Sequence, residues 1–159
     1  MVFNTYNSSK VIISFELFPP RTDLGVSTLK ERLAHLAGLN PDFITVTYGA
    51  MGSTQTNTLE IASHIKNVLN IEVAHHLTCV GATTHTINNT LTQMLENNIS
   101  NVVALRGDPP EGTQDLSSTL NEFRYAEDLV KHINAAGRFS IAVAGYPEKH
   151  IEAPSMAAD

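Results

Sequence analysis

The chain has 159 residues, 42% of them hydrophobic and 16% charged, with a formal net charge of −6. That length suits one domain with a substantial core, and the acidic balance opposes binding to nucleic acid or anionic membrane, which requires a basic face. No apolar run approaches the roughly 20 residues of a spanning helix, so no membrane segment is expected.

The chain opens on MVFNTYNSSK, which lacks the apolar core of a secretory signal. The first predicted strand, residues 11–17, is apolar and ends in SFELFPPRT, with Glu16 set among large apolar neighbours. Two prolines stop it. Leu29, Leu33 and Leu36 then recur at helical spacing, with Thr28 and Glu31 placed as a capping box. A second strand is expected at 43–47, delivering Thr47 and Tyr48, and Ile61, Ile65 and Val68 mark the helix after it. The third strand, 71–77, carries His75 and His76. Neighbouring strand residues point to opposite faces, so one histidine faces the strand-end site and the other packs. Cys79 is the only cysteine, which excludes an internal disulfide and points to a reducing cytoplasm. Ile87, Leu91, Met94 and Leu95 mark the third helix. The fourth strand, 101–105, surfaces in RGDPP and delivers Arg106 and Asp108. Phe123, Ala126, Val130 and Ile133 mark the fourth helix, with Gly137 at its C-cap. The fifth strand, 139–145, leads to Tyr146 and His150.

Strand starts recur roughly every 30 residues, the length of a βαβ unit. The strands read as continuous apolar runs, which fits a parallel sheet. Two α/β architectures compete, a doubly wound open sheet and a (β/α)8 TIM barrel. The first expects a glycine-rich turn after strand 1, and no G-x-G-x-x-G or Walker A pattern occurs. A barrel gathers every strand end at one mouth, and each predicted strand here ends in polar or titratable residues. Glu16 among apolar groups suits a general acid, because burial raises a carboxyl pKa. Asp108 is a functional carboxylate or a turn cap before proline. Arg106 pairs with it or holds a phosphate. Tyr48 and Tyr146 are core aromatics or stacking surfaces for a planar ring.

Five segments, SFELFPPRT, DFITVTYGAMGSTQTNT, AHHLTC, NVVALRGDPP and AVAGYPEKHIEAPS, fall in order at successive strand ends over nearly the whole chain. Together they resemble the methylenetetrahydrofolate reductase family of flavoprotein barrels. The resemblance implies FAD as cofactor and NADH or NADPH as co-substrate. It also implies reduction of 5,10-methylenetetrahydrofolate to 5-methyltetrahydrofolate, in one-carbon metabolism and methionine synthesis. Glu16 matches the family's general acid, and Asp108 would place a negative charge beside the flavin. Thr47 matches the nicotinamide-side threonine. Flavin contacts transfer to Leu105, Arg106, Gly107 and Asp108 in the RGD segment. They transfer also to Tyr48, Ala50, His76 and Ala126, and to Tyr146, His150, Ala153 and Asp159. A (β/α)8 barrel takes about 250 residues, so the chain reads as a single partial domain, an open barrel of the first five β/α units. Strands 6 to 8 and most folate contacts lie outside it, and a homo-oligomer is expected of the complete protein. The alternatives are an inactive half-barrel that binds flavin weakly, and a metal-dependent barrel hydrolase using His76, Asp108 and His150. The latter lacks the ligand pair expected on a first strand.

Overall fold

The computed structural model describes residues 2–3, 10–48, 53–108, 122–151 and 153–158, and of residues 53–56 and 158 the backbone alone. Strands β1 (Ser14–Leu17), β2 (Phe43–Val46), β3 (Val73–Thr78), β4 (Asn101–Leu105) and β5 (Ser140–Val143) alternate with helices. The helices are α1 (Asp23–Ala37), α2 (Ser53–Asn67), α3 (Thr84–Glu96) and α4 (Ala126–Ala136). The strands form one sheet in the order β1-β2-β3-β4-β5, every neighbouring pair parallel.

That order speaks against a doubly wound arrangement of these five strands and is consistent with a partial barrel. A doubly wound sheet reverses its strand order once, which sends helices to both faces. Here the order never reverses, so right-handed crossovers lay every helix on the same face. Burial follows. Leu17, Ile44, Val46, Val73, Leu77, Val102 and Ala104, on the helix-covered face, are buried. On the other face Phe43, Ala74, His76 and Asn101 are buried, Thr45, Thr78, Val103, Leu105 and Ala142 are half-buried, and Glu16 is exposed. The outer edges of β1 and β5 have no strand beside them among the described residues. At the strands' N-terminal end that open face is closed by the start of the chain. The Val2 N–H donates to Asn101 Oδ1 at 3.1 Å, and Phe3 meets Phe43 edge-on at 6.2 Å.

Several strands are shorter than their apolar runs. The first was expected from residue 11, yet Val11 is 80% exposed and the ladder begins at Ser14, opposite Phe43. Asp42 explains the boundary, because its carboxylate accepts the Ile13 N–H at 2.9 Å in place of a strand carbonyl. The expected cap of the first helix is also corrected. Thr22, not Thr28, is the N-cap, accepting the Gly25 N–H. Thr28 lies mid-helix and donates back to the Leu24 carbonyl at 2.9 Å. Val68 falls beyond the end of α2 and is exposed. Each return from helix to strand uses a residue in the left-handed region: Asn40, Asn70, Asn98 and, as anticipated, Gly137.

Candidate active site

The polar side chains gather at the C-terminal end of the sheet, in two clusters. On the open face, register sets Glu16 of β1 opposite Thr45 of β2. Glu16 Oε2 receives the Thr45 hydroxyl at 3.4 Å and lies 3.5 Å from His76 Nε2. Burial lowers the His76 pKa, opposed by the Glu16 charge, so at neutral pH the imidazole facing Glu16 is neutral. The burial expected of Glu16 is corrected: its side chain is 52% exposed, because among the described residues no element covers the open face at that height. The loop behind it is held by Asn57 of α2, whose amide donates to the Pro20 carbonyl at 2.9 Å. Thr47, just past β2, is held in a similar way, its carbonyl accepting the Thr58 hydroxyl at 3.1 Å.

His75 and Tyr48 turn the other way. His75 is fully buried on the helix-covered face, with its ring edge-on to Tyr48 at 5.9 Å. Burial pushes the Tyr48 pKa up to about 12. Its ring packs against the core and remains half-buried.

The second cluster follows β4. Its loop is fastened to the end of β3, since the Val80 N–H donates to the Arg106 carbonyl at 2.8 Å and the Cys79 N–H to the Leu105 and Arg106 carbonyls at 3.2 Å each. Gly107 then passes at φ +84, and a Cβ there would lie 2.9 Å from Thr78 Cβ and 3.0 Å from Val80 Cγ1. Gly107→Ala is therefore expected to destabilise the chain by about 2 kcal/mol or more, from left-handed strain and overlap together. Urea unfolding measures it, and an unchanged midpoint would show that the loop shifts freely.

The chain returns at Glu122, whose carboxylate accepts the Thr84 N–H of α3 at 2.8 Å, and at Phe123, which is buried. Asp128 accepts the Arg124 and Tyr125 N–H groups at 2.9 Å each, fixing the start of α4. Between that helix start, the loop after β4 and the loop after β5 lies a cavity of about 700 Å³. It is lined by Leu105, Arg106, Gly107 and Asp108, by Ala126 of α4, and by Tyr146, His150 and Ala153. Tyr146 and His150 meet edge-on at 4.8 Å.

The cavity thus unites eight of the residues singled out in the sequence. Glu16 and His76 come together at the same end of the sheet but, like Thr47 and Tyr48 at the end of β2, stand outside the cavity lining. Ala50 and Asp159 lie outside the described residues. Tyr125, Glu127, Val143, Ala144 and Pro154 also line the cavity, and Thr45 touches Glu16; the sequence reading had passed over them. Thr45 had a usable signal, being two residues before Thr47 and so on the same face. Tyr125 had only its place before Ala126. Among the described residues no three His, Cys, Asp or Glu side chains group as a metal site.

The family model described as methylenetetrahydrofolate reductase matches residues 2–159. Methylenetetrahydrofolate reductase (NADH) 1 of Arabidopsis thaliana is 46% identical over 149 residues, covering 91% of this chain and 25% of its own length. The probable NADH enzyme of Oryza sativa is 43% identical over 146 residues, with the same coverage of 91% and 25%. The 5,10-methylenetetrahydrofolate reductase of Escherichia coli K12 is 39% identical over 150 residues, 94% of this chain and 49% of its own length. The chain thus spans about a quarter of these plant relatives and about half of the bacterial one. With a match from residue 2 to residue 159, the chain belongs to the methylenetetrahydrofolate reductase family.

Proposed function

We propose that this chain supplies the flavin-holding and acid-bearing part of an enzyme that reduces 5,10-methylenetetrahydrofolate to 5-methyltetrahydrofolate, with FAD as cofactor and NADH as hydride donor. One observation carries the reading: a roomy cavity with an arginine, a close-approach glycine and two ring side chains opens at the same end of one sheet as the Glu16 carboxylate. Arg106 and the N-terminus of α4 suit a phosphate-bearing cofactor, by charge and by first-turn N–H groups. Tyr146 and His150 offer ring surfaces to a planar group. The cavity volume falls in the range of small-molecule sites. FAD, when bound, supplies the hydride relay between nicotinamide and folate. The protein's own chemistry is then to orient, and to deliver a proton. Glu16 is the acid that protonates a folate nitrogen so that the methylene bridge opens to an iminium. Thr45 and His76 both meet its Oε2 and hold the carboxyl in one orientation. Asp108 keeps a negative charge at the cavity, which sets the charge balance for a cofactor that gains electrons. NADH is preferred over NADPH in this proposal because the plant relatives' names specify NADH.

In the longer protein the five units form the first part of a (β/α)8 barrel, with later strands pairing to the outer edges of β1 and β5. The half-exposed open face and those two edges favour a second statement: the 159 residues alone bind flavin weakly and do not turn over folate. The test is visible absorbance and FAD titration of the purified chain, with NADH-dependent folate reduction assayed in the complete gene product. No flavin binding by either protein would end the proposal. Flavin binding with folate reduction by the 159 residues would end the second statement.

A further inference from the structure

Lys149 stands at φ +80, a backbone conformation that a residue with a Cβ keeps only when its surroundings hold it there. Those surroundings are specific. The Lys149 N–H donates to the Tyr146 carbonyl at 2.9 Å. Its ammonium donates to the Ala153 carbonyl at 2.6 Å and to the His150 carbonyl at 3.3 Å. The Ala153 N–H closes the same loop onto the His150 carbonyl at 3.0 Å. One lysine therefore ties together Tyr146, His150 and Ala153, and all three line the cavity. Both ammonium bonds are part-buried, where a charge-assisted bond to a carbonyl is stronger than on an open surface.

We infer that Lys149 is a positioning residue: its ammonium straps the loop after β5 so that Tyr146, His150 and Ala153 form one preset wall of the cavity. The strained backbone is what aims the side chain across its own loop, and the two carbonyl bonds are what keep the strain in place. The consequence for flavin affinity rests on the function proposed above, whereas the strap itself does not. A preset wall spares a ligand the cost of ordering the loop, so removing the strap weakens binding without removing a ligand contact.

The experiment compares the 159-residue chain with Lys149→Met, Lys149→Gly and Lys149→Arg. Amide hydrogen exchange across residues 146–155 is read beside FAD titration and urea unfolding. Lys149→Met keeps the aliphatic stem and loses the donors. It is expected to speed exchange at the Ala153 amide at least tenfold and to weaken FAD about tenfold, with the unfolding midpoint unchanged. Lys149→Gly accepts the backbone angle without the strap and is expected to loosen the loop equally. Lys149→Arg, with donors of its own, retains most of the protection. Native exchange in Lys149→Met or Lys149→Gly would overturn the inference, and so would a fall in unfolding midpoint that accounts for the faster exchange. Failure of the unaltered chain to bind FAD would count against the proposed function of these residues, and the exchange series would still decide the strap.

Discussion

In the complete enzyme, Glu16→Gln is expected to lower folate reduction by a factor of 10² or more while NADH oxidation with an artificial acceptor stays near its original rate. Glutamine fills the same volume and still accepts from the Thr45 hydroxyl, so the geometry around Oε2 is largely kept. What it cannot do is give up a proton to a folate nitrogen. Loss of a positioned general acid costs 10²–10⁴-fold, and the cost falls on the half-reaction that needs the proton. His76 does not take over. Burial lowers its pKa, so near neutrality the imidazole carries no extra proton to give. Rates with the two acceptors, measured on one preparation, separate the cases. Equal losses in both would show that Glu16 supports the cofactor site and is not the acid.

The number and order of elements followed from the sequence because each βαβ unit repeats its own local signals. The winding was not in the spacing; the missing glycine-rich turn after strand 1 and the polar strand ends pointed to it. Doubly wound and singly wound sheets share the same ~30-residue spacing, and the pairing β1-β2-β3-β4-β5 speaks against the first. Glu16 shows a second gap. Apolar neighbours in FELF suggested burial, but alternate strand residues belong to opposite faces. Leu17 went beneath the helices while Glu16 went to the face that none of the described helices covers. The RGD loop was readable because its residue types are unusual at a strand end. Lys149 was not, since nothing in YPEKH announces a left-handed backbone or a side chain that folds onto its own loop. Thr22 lost to Thr28 in the reading for a related reason. A good N-cap depends on where the chain turns, and FPPR delays that turn until Thr22.

His75 sets the acid limit of stability. It is fully buried, among the described residues neither ring nitrogen has a partner at good hydrogen-bond geometry, and burial pushes its pKa down from 6.5 to about 4 against a smaller opposing interaction with the His76 backbone. At pH 7 the ring is neutral whether the chain is folded or not, so nothing is lost there. Below pH 6.5 the unfolded chain takes up a proton that the folded chain refuses, and stability falls with pH until the folded pKa is passed. The loss is about 2 kcal/mol at pH 5 and levels off near 3 kcal/mol below pH 4. His76, also shifted downward, pulls in the same direction. The substitution His75→Leu isolates the first contribution. It replaces a buried polar ring with an apolar side chain that can pack among Val46, Val73 and Leu77 on the same face, so at pH 7 it is expected to be neutral or stabilising. At pH 5 the variant should exceed the parent by about 2 kcal/mol more than it does at pH 7, because it has no proton to exclude. Urea unfolding of both chains at the two pH values measures that difference of differences. A value near zero would mean that His75 finds an acceptor on protonation, and that the buried ring is less isolated than its surroundings indicate.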